Sequence, residues 1–146
     1  MDSIDRDILR VLERDGRVRW GDLAAAVHLS ANAVAERVRR LQRSGVITGF
    51  SVRRDWATYG RPIHAYIELR LAPGVDHQRF EAELVLHDSI TEAHHVTGRS
   101  DYLLAGHFAD LAALDELLDR LKRDGLVAET ETRLVLRSVE EVRPAV

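Results

Sequence analysis

Apolar residues in the first 45 positions recur at the three- and four-residue spacing of amphipathic helices. The inward positions are Ile4, Ile8, Leu9 and Leu12 in a first run, Leu23, Ala24 and Val27 in a second, and Val34, Val38 and Leu41 in a third. Asp2 or Ser3 is expected to cap the first helix and Ser30 the third, because these side chains can accept from free amides of a first turn. Gly16 and Gly45 follow the first and third runs, as glycine often does where a helix ends. The pattern predicts three short helices.

The residues after the third helix, 46–52 (VITGFSV), alternate enough to predict a strand. Arg53 and Arg54 follow it directly. A strand with two arginines behind a three-helix unit would form a wing whose guanidinium groups face phosphates. We therefore expect a winged helical unit.

From Pro62 onward the apolar positions alternate instead, as in a strand with one buried face. The predicted elements are a strand at 63–71, a helix from about Asp76 to His87, strands at 90–97 and 102–108, a helix capped by Asp110, and a strand at 127–136. Their order, βαββαβ, is that of a ferredoxin-like split βαβ domain. The expected fold class is α+β, a winged helix-turn-helix followed by a ferredoxin-like domain.

A sheet with two helices on one face leaves its other face to be covered. The second domain has about 85 residues, which is too few for a thick core of its own. Pairing of sheets between subunits would cover the open face, so we expect an obligate homodimer or a larger homo-oligomer.

Composition narrows the classes of function. The chain is 45% hydrophobic and 31% charged, as expected of a folded protein, and it has no cysteine. Disulfides, thiolate metal sites and a cysteine nucleophile are therefore excluded. No apolar run reaches the roughly 20 residues of a membrane span, and the acidic N-terminus does not resemble a signal peptide. We expect a cytoplasmic protein.

Charge divides the chain into two parts. Residues 1–60 carry 11 arginines against 8 acidic residues, whereas residues 61–146 carry 10 basic against 16 acidic residues. The change falls near Gly60 and Pro62, residue types that often mark a boundary. The predicted domains are a DNA-binding domain with a linker strand at 1–60 and an effector-binding and oligomerisation domain at 61–146.

Residues 23–38 (LAAAVHLSANAVAERV) have the layout of a helix-turn-helix. Ala24 is small where two helices would cross, and Val34 would fix the second helix. Such a motif places its second helix in the DNA major groove. His28 occupies the turn position where glycine is usual, and histidine tolerates positive φ better than most residues.

The outward side of the third helix is rich in arginine, which can contact phosphates or guanine edges, while asparagine can pair with adenine. Charge alone fits a solvated face equally well. The helix-turn-helix context favours DNA binding instead. The predicted DNA-contacting residues are Ser30, Asn32, Arg37, Arg39, Arg40, Arg43, Arg53 and Arg54.

The stretch 94–102 (HHVTGRSDY) carries the remaining candidate chemistry. His94 and His95 are neighbours on a predicted strand, so they point to opposite faces and cannot chelate one ion. His64 or His107 could add a ligand from an adjacent strand, but structural histidines are the commoner outcome. No spaced catalytic motif is present, and a plain hairpin turn also fits Gly98 and Asp101.

The chain from Ser3 to about Val142 resembles the Lrp/AsnC, or feast/famine, family of transcriptional regulators. The matching stretches are IDRDILRVLERDGRVRWGDLA (4–24), LSANAVAERVRRLQRSGVITGF (29–50), VTGRSDYLL (96–104) and TETRLVL (130–136). The resemblance implies a winged helix-turn-helix, a ferredoxin-like effector domain, dimers and often octamers, double-stranded DNA as partner and an amino acid as effector. His28, Asn32 and Ala33 depart from the family pattern, which puts the target sequence in doubt.

The resemblance also implies an effector site. In such regulators a glycine and an aspartate of the turn before the third strand of this domain, with threonines of the last strand, hold the effector's ammonium and carboxylate groups. These residues correspond to Gly98, Asp101, Thr130 and Thr132, and His94 would tune selectivity. The chemistry is sound, because a carboxylate can pair with an ammonium and glycine lets the backbone approach a ligand.

Two other functions remain open on the sequence. Some proteins of this architecture resemble sirohaem decarboxylases, in which histidines of the effector-like domain act on a tetrapyrrole. The basic recognition helix argues against that enzyme, so we expect a protein that is not an enzyme and needs no metal or other cofactor. An amino-acid-binding module without a DNA role is the second alternative.

Overall fold

The computed structural model describes residues 1–138, which divide into two units between Arg53 and Arg54. None of the helices within these residues is long and apolar enough to cross a membrane.

The first unit contains helices α1 (Ser3–Arg14), α2 (Trp20–Ala26) and α3 (Ala31–Arg43), as predicted. Asp2 caps α1 in a capping box with Asp5, in which each carboxylate accepts from the other residue's backbone amide. The buried core joins all three helices and consists of Ile8, Leu12, Leu23, Ala24, Val27, Val34, Val38 and Leu41. The helical spacing read from the sequence is therefore confirmed.

The turn between α2 and α3 depends on a left-handed residue. His28 has a φ of 55° and is the only residue other than glycine with positive φ within residues 1–138. Ser30 then caps α3, its hydroxyl accepting from the amide of Ala33 at 3.2 Å. Both expectations for this turn are confirmed.

The wing strand predicted at 46–52 is wrong for the structure as described. These residues form no strand, and Val46, Phe50 and Val52 are exposed. A strand needs a neighbour to pair its amides and carbonyls, and no other strand lies within the first unit. The alternation of apolar and polar residues was therefore not sufficient to predict a strand here.

The second unit has the predicted βαββαβ order. Its elements are β1 (Ile63–Leu71), α4 (His77–Leu84), β2 (Ile90–His95), β3 (Tyr102–Phe108), α5 (Leu111–Arg123) and β4 (Val127–Leu134). The strands form one antiparallel sheet in the order β2-β3-β1-β4. Asp76 and Asp110 cap the two helices through their carboxylates.

One face of this sheet carries the core. Alternate residues of β1, such as Ile67 and Leu69, pack with Phe80 of α4 and with Leu117 and Leu121 of α5 in one buried cluster. The other face of β1 holds Tyr66, Glu68 and Arg70, which are half-buried or exposed. The residues of the second unit described here thus leave one sheet face without a helical layer.

Three predicted ends differ from the structure. Helix α4 ends at Leu84, and Leu86 is exposed because it does not share the helix face of Phe80 and Leu84. Strand β2 ends at His95, where a turn begins, and β4 ends at Leu134, close to where its partner β1 begins. Periodicity therefore located the elements better than it located their ends.

Candidate functional site

The outward side of α3 is a stripe of polar residues. Asn32, Glu36, Arg39 and Arg43 are spaced at i, i+4, i+7 and i+11, so they lie along one side of the helix. That side is opposite the buried core positions of α3. Arg43 and Arg39 both donate to the carboxylate of Glu36, at 2.9 and 3.4 Å. The stripe therefore presents guanidinium groups to solvent, partly neutralised by one carboxylate.

Arg37 and Arg40 lie on another side of α3 and bind the start of α1. Arg37 Nη1 donates to Asp5 Oδ1 at 2.8 Å and to Asp2 Oδ2 at 2.7 Å. Arg40 Nη2 donates to both carboxylate oxygens of Asp5 at 2.9 Å. Asp5 is 1% exposed, Arg37 24% and Arg40 55%. Arg37 therefore ties two helices together, while Arg40 keeps part of its surface open.

Asp5 remains ionised despite its burial. Burial alone raises the pKa of its carboxyl, but the hydrogen bonds from the Asp2 amide and from Arg37, with the charge of Arg40, bring the pKa below the ordinary value. The pKa of Asp2 is also lowered, first by its hydrogen bond from Arg37. The two arginines and two aspartates form a charged cluster that sequence analysis missed, because its members are 32 to 35 residues apart.

The other predicted DNA-contacting residues have different environments. The hydroxyl of Ser30 is used in capping α3. Arg53 is the last residue of the first unit. Arg54 belongs to the second unit, where its guanidinium lies 4.8 Å from the centre of the Trp56 ring. Among the predicted residues, Asn32, Arg39 and Arg43 are thus those on the outward stripe.

In the second unit, the turn between β2 and β3 is fixed by Asp101. Its backbone carbonyl accepts from Val96 and its amide donates to Leu69, both at 2.9 Å. Its carboxylate Oδ2 accepts from the Leu71 amide at 2.8 Å. Gly98 in the same turn has a φ of 118°, a conformation that side chains rarely allow. Asp101 therefore has a structural role that the sequence did not reveal.

An open cavity of about 650 Å³ lies between this turn and strand β4. Arg99 and Ser100 of the turn line it, together with Thr130 of β4. The sequence placed the remaining lining residues on strands but did not indicate a role for them in a site. They are Glu68, Leu69, Arg70, Glu129, Glu131 and Arg133. Arg133 pairs with Glu68 and with Glu131, and Arg70 pairs with Glu129. The cavity is lined by charges of both signs.

Two predicted effector residues lie elsewhere. Thr132 lines a different groove, of about 520 Å³, between β4 and α5. His94 is opposite Leu103 in the β2–β3 register, and its Nε2 lies 3.3 Å from Glu92. The structure therefore brings Thr130 together with the Gly98–Asp101 turn, but it does not bring Thr132 and His94 to the same cavity.

Four of the other histidines contact aromatic rings. His64 and His107 are opposite each other on β1 and β3, with ring centres 4.3 Å apart, and Trp56 stacks on His107 at 4.4 Å. His77 and His95 lie near Tyr102 on the helix side of the sheet. Among residues 1–138 no group of three or more histidine, aspartate or glutamate side chains is placed to hold a metal ion.

Comparisons with known proteins match both units. Residues 1–42 match the model of the AsnC-type helix-turn-helix domain, and residues 64–145 match that of the Lrp/AsnC ligand binding domain. The chain is 36% identical to the Leucine-responsive regulatory protein of Salmonella typhimurium over 145 residues, which is 97% of this chain and 88% of the relative. The protein of that name from Escherichia coli K12 is 35% identical over the same shares.

Solved structures are also similar. The Leucine response regulatory protein of Mycobacterium tuberculosis has a TM-score of 0.82 and 30% identity, with 99% of each chain covered. A feast or famine regulatory protein of the same organism, complexed with L-methionine, has a TM-score of 0.88 and 30% identity, covering 99% of this chain and 97% of that chain.

Proposed function

The chain belongs to the Lrp/AsnC family of DNA-binding transcriptional regulators, and we propose that it binds a pseudo-palindromic operator as a dimer, in the cytoplasm, under the control of an amino acid. The observation that carries the DNA-binding part is the outward stripe of α3. The relatives named above are regulators by name, which favours this function over an enzymatic one.

The proposed DNA contacts follow from the geometry of α3. The guanidinium groups of Arg39 and Arg43 are exposed. They can leave Glu36 and bind DNA phosphates, because a surface ion pair contributes only about 0–1 kcal/mol. Asn32 is in the first turn, the part of a recognition helix that reaches base edges. Arg40, Arg53 and Arg54 are proposed to contact the backbone. Arg37 and Ser30 support this surface mainly by holding α3 in place.

A dimer is proposed because of the open sheet face. Tyr66 is partly exposed there, among charged neighbours such as Glu68 and Arg133. A second sheet would cover this face, and two-fold symmetry would bring two copies of α3 to successive major grooves, about 34–36 Å apart. Higher assembly to an octamer is part of the proposal. Size measurement at micromolar concentration that gave only a 16.5 kDa monomer would contradict it.

DNA binding is tested by fluorescence anisotropy with the promoter beside the protein's own gene and with a shuffled duplex of equal length. We expect tighter binding to the promoter, and affinity that falls steeply with salt because phosphate contacts release counterions. Equal affinity for both duplexes at physiological salt would reject a sequence-specific regulator.

The effector is proposed to be an amino acid held near the turn that precedes β3. The supporting features are Gly98, which leaves open space around its backbone, and Asp101, whose neighbours Arg99 and Ser100 in the same turn line the charged cavity. Thr130 lines that cavity, and Thr132 and His94 are secondary candidates from the sequence. An effector acts only if it binds two assembly states unequally, so its binding must change dimer contacts or assembly.

Calorimetric titration of the twenty amino acids identifies the effector. The comparison of the wild type with Asp101→Ala tests the aspartate, and Glu116→Ala on α5 is a matched control for loss of an acid. We expect one or a few amino acids to release heat with the wild type and with the control. If Asp101→Ala released the same heat as the wild type, Asp101 would be rejected as an effector ligand. The proposed DNA binding would not be affected by that result.

A further inference from the structure

Glu36 is the only acidic residue of α3, and it lies in the middle of the outward stripe. Its side chain is 60% exposed. A carboxylate is unexpected at the centre of a surface that meets phosphates, because like charges repel. The ion pairs of Glu36 with Arg39 and Arg43 do not by themselves explain why a carboxylate lies on this surface, and a partner of its own on the duplex would explain it.

Glu36 is held as an anion in a defined position. Arg43 Nη2 donates to its Oε1 and Arg39 Nη1 to its Oε2, so both oxygens are engaged from the C-terminal side of the helix. These hydrogen bonds, that of Arg43 first, lower the pKa of the Glu36 carboxyl below its ordinary value. An ionised carboxylate can only accept hydrogen bonds. Its partner on DNA must therefore be a donor.

The position of Glu36 along α3 allows it to reach a base. It is five residues after Ala31, the first residue of the helix, which is an axial distance of about 7.5 Å. A recognition helix lies in the major groove with its N-terminal residues at the base edges, and Glu36 is in the N-terminal half of α3. Asn32 lies one turn earlier on the same stripe, at the N-terminal end of α3.

The major-groove edges offer few donors. Guanine presents two acceptors and thymine one, so a carboxylate is repelled by both. Adenine offers its N6 amino group, but the N7 acceptor lies beside it, whereas cytosine offers its N4 amino group without an adjacent acceptor on its own edge. Cytosine is therefore the base that best matches an isolated carboxylate.

Resting on the proposed DNA binding, we propose that Glu36 determines specificity by accepting a hydrogen bond from the N4 amino group of a cytosine in each half-site. The amino group replaces one of the two arginine donors, and the released guanidinium of Arg39 or Arg43 becomes available to a phosphate. At any other base, Glu36 finds no such donor on the duplex and competes with the phosphates for both arginines. Glu36 thus couples base identity to phosphate contact.

The test is selection of binding sites from a randomised duplex library by the full-length protein. Wild type is compared with Glu36→Gln, which keeps the shape but adds donors, and with Glu116→Gln, an exposed glutamate that also pairs with an arginine, Arg120. We expect one cytosine per half-site to be preferred about tenfold by the wild type and the control. The preference should fall below about twofold in Glu36→Gln, with other positions unchanged.

A second measurement separates recognition of a base by Glu36 from the effect of its negative charge on DNA affinity. Glu36→Gln should bind non-specific duplex more tightly, and its affinity should fall more steeply with salt, because two arginines are freed for phosphates. Identical base preferences for wild type and Glu36→Gln would overturn the proposal, and so would a selected adenine at that position. A wild type that selects no motif at all would instead reject the proposed DNA-binding function.

Discussion

The substitution Asp5→Asn tests the charged cluster that joins α1 to α3. Asp5 is 1% exposed, accepts from the Asp2 amide at 3.0 Å through the reciprocal capping box, and receives three guanidinium hydrogen bonds at 2.8–2.9 Å. Breaking a buried ion pair from one side costs about 3–5 kcal/mol. We expect the lower end, about 3 kcal/mol, because Arg40 is half exposed and can return to water.

The assay is equilibrium unfolding in urea followed by Trp20 fluorescence in a Trp56→Phe background, so that the signal reports the first unit alone. With a slope of about 1.5 kcal/mol per molar, the midpoint should fall by about 2 M. Asp7→Asn is the matched control, because Asp7 is on the same helix but pairs with Arg10 at the surface. It should change stability by less than about 0.5 kcal/mol.

The difference between wild type and Asp5→Asn should also depend on pH. Because the folded pKa of Asp5 lies below 3.8, the carboxylate stabilises the folded state above that pH, and this contribution is lost as the pH falls through the folded pKa. The two midpoints should therefore converge in acid. Equal midpoints for Asp5→Asn and Asp7→Asn at pH 7 would refute the reasoning.

Two further predictions concern histidines. His28→Gly should keep or slightly raise the stability of the first unit, whereas His28→Val should cost about 1–2 kcal/mol, since a β-branched residue is strained at a φ of 55°; equal urea midpoints for the two variants would argue against the left-handed turn. Burial, and then the nearby His64, lower the pKa of His107 below 6.5. The folded state of the second unit therefore binds fewer protons than the unfolded state, and it loses stability as the pH falls below 6.5. Urea midpoints from Trp56 fluorescence in a Trp20→Phe background should fall less between pH 7.5 and pH 5 in His107→Phe than in the wild type; parallel falls would show that His107 is not responsible.

The architecture could be predicted because each element carries its own period. The alternation of β1 and the helical spacing of α3 are local signals, and both were confirmed. The positive φ of His28 was also predictable, because a helix-turn-helix requires a left-handed residue at that turn. The sequence was sufficient to predict those features that depend only on neighbouring residues of the chain.

What depends on distant residues could not be predicted. Arg37 has the same side chain as Arg39, but it lies on the side of α3 that meets Asp5, and only the packing of α1 against α3 shows this. The segment 46–52 alternates like a strand and yet forms none, because pairing requires a neighbour. The end of β4 likewise depends on its partner strand β1 rather than on period.

The effector site shows the same limit. The turn with Gly98 and Asp101 was located from the sequence, but the hydrogen bond from the Leu71 amide to Asp101 was not foreseen. The paired charges that line the cavity beside Thr130 come from β1 and β4, which are far apart in the sequence. Sequence therefore predicted the turn and not its surroundings.

The central claim is that the outward stripe of α3 binds operator DNA. It is tested most directly by the salt dependence of operator affinity for wild type and for Arg39→Ala combined with Arg43→Ala. Arg120→Ala with Arg123→Ala removes the same charge from α5 and is the control. We predict weaker binding and a slope of log affinity against log salt that is shallower by about one to two for the α3 variant only. An unchanged affinity and slope for that variant would contradict the claim.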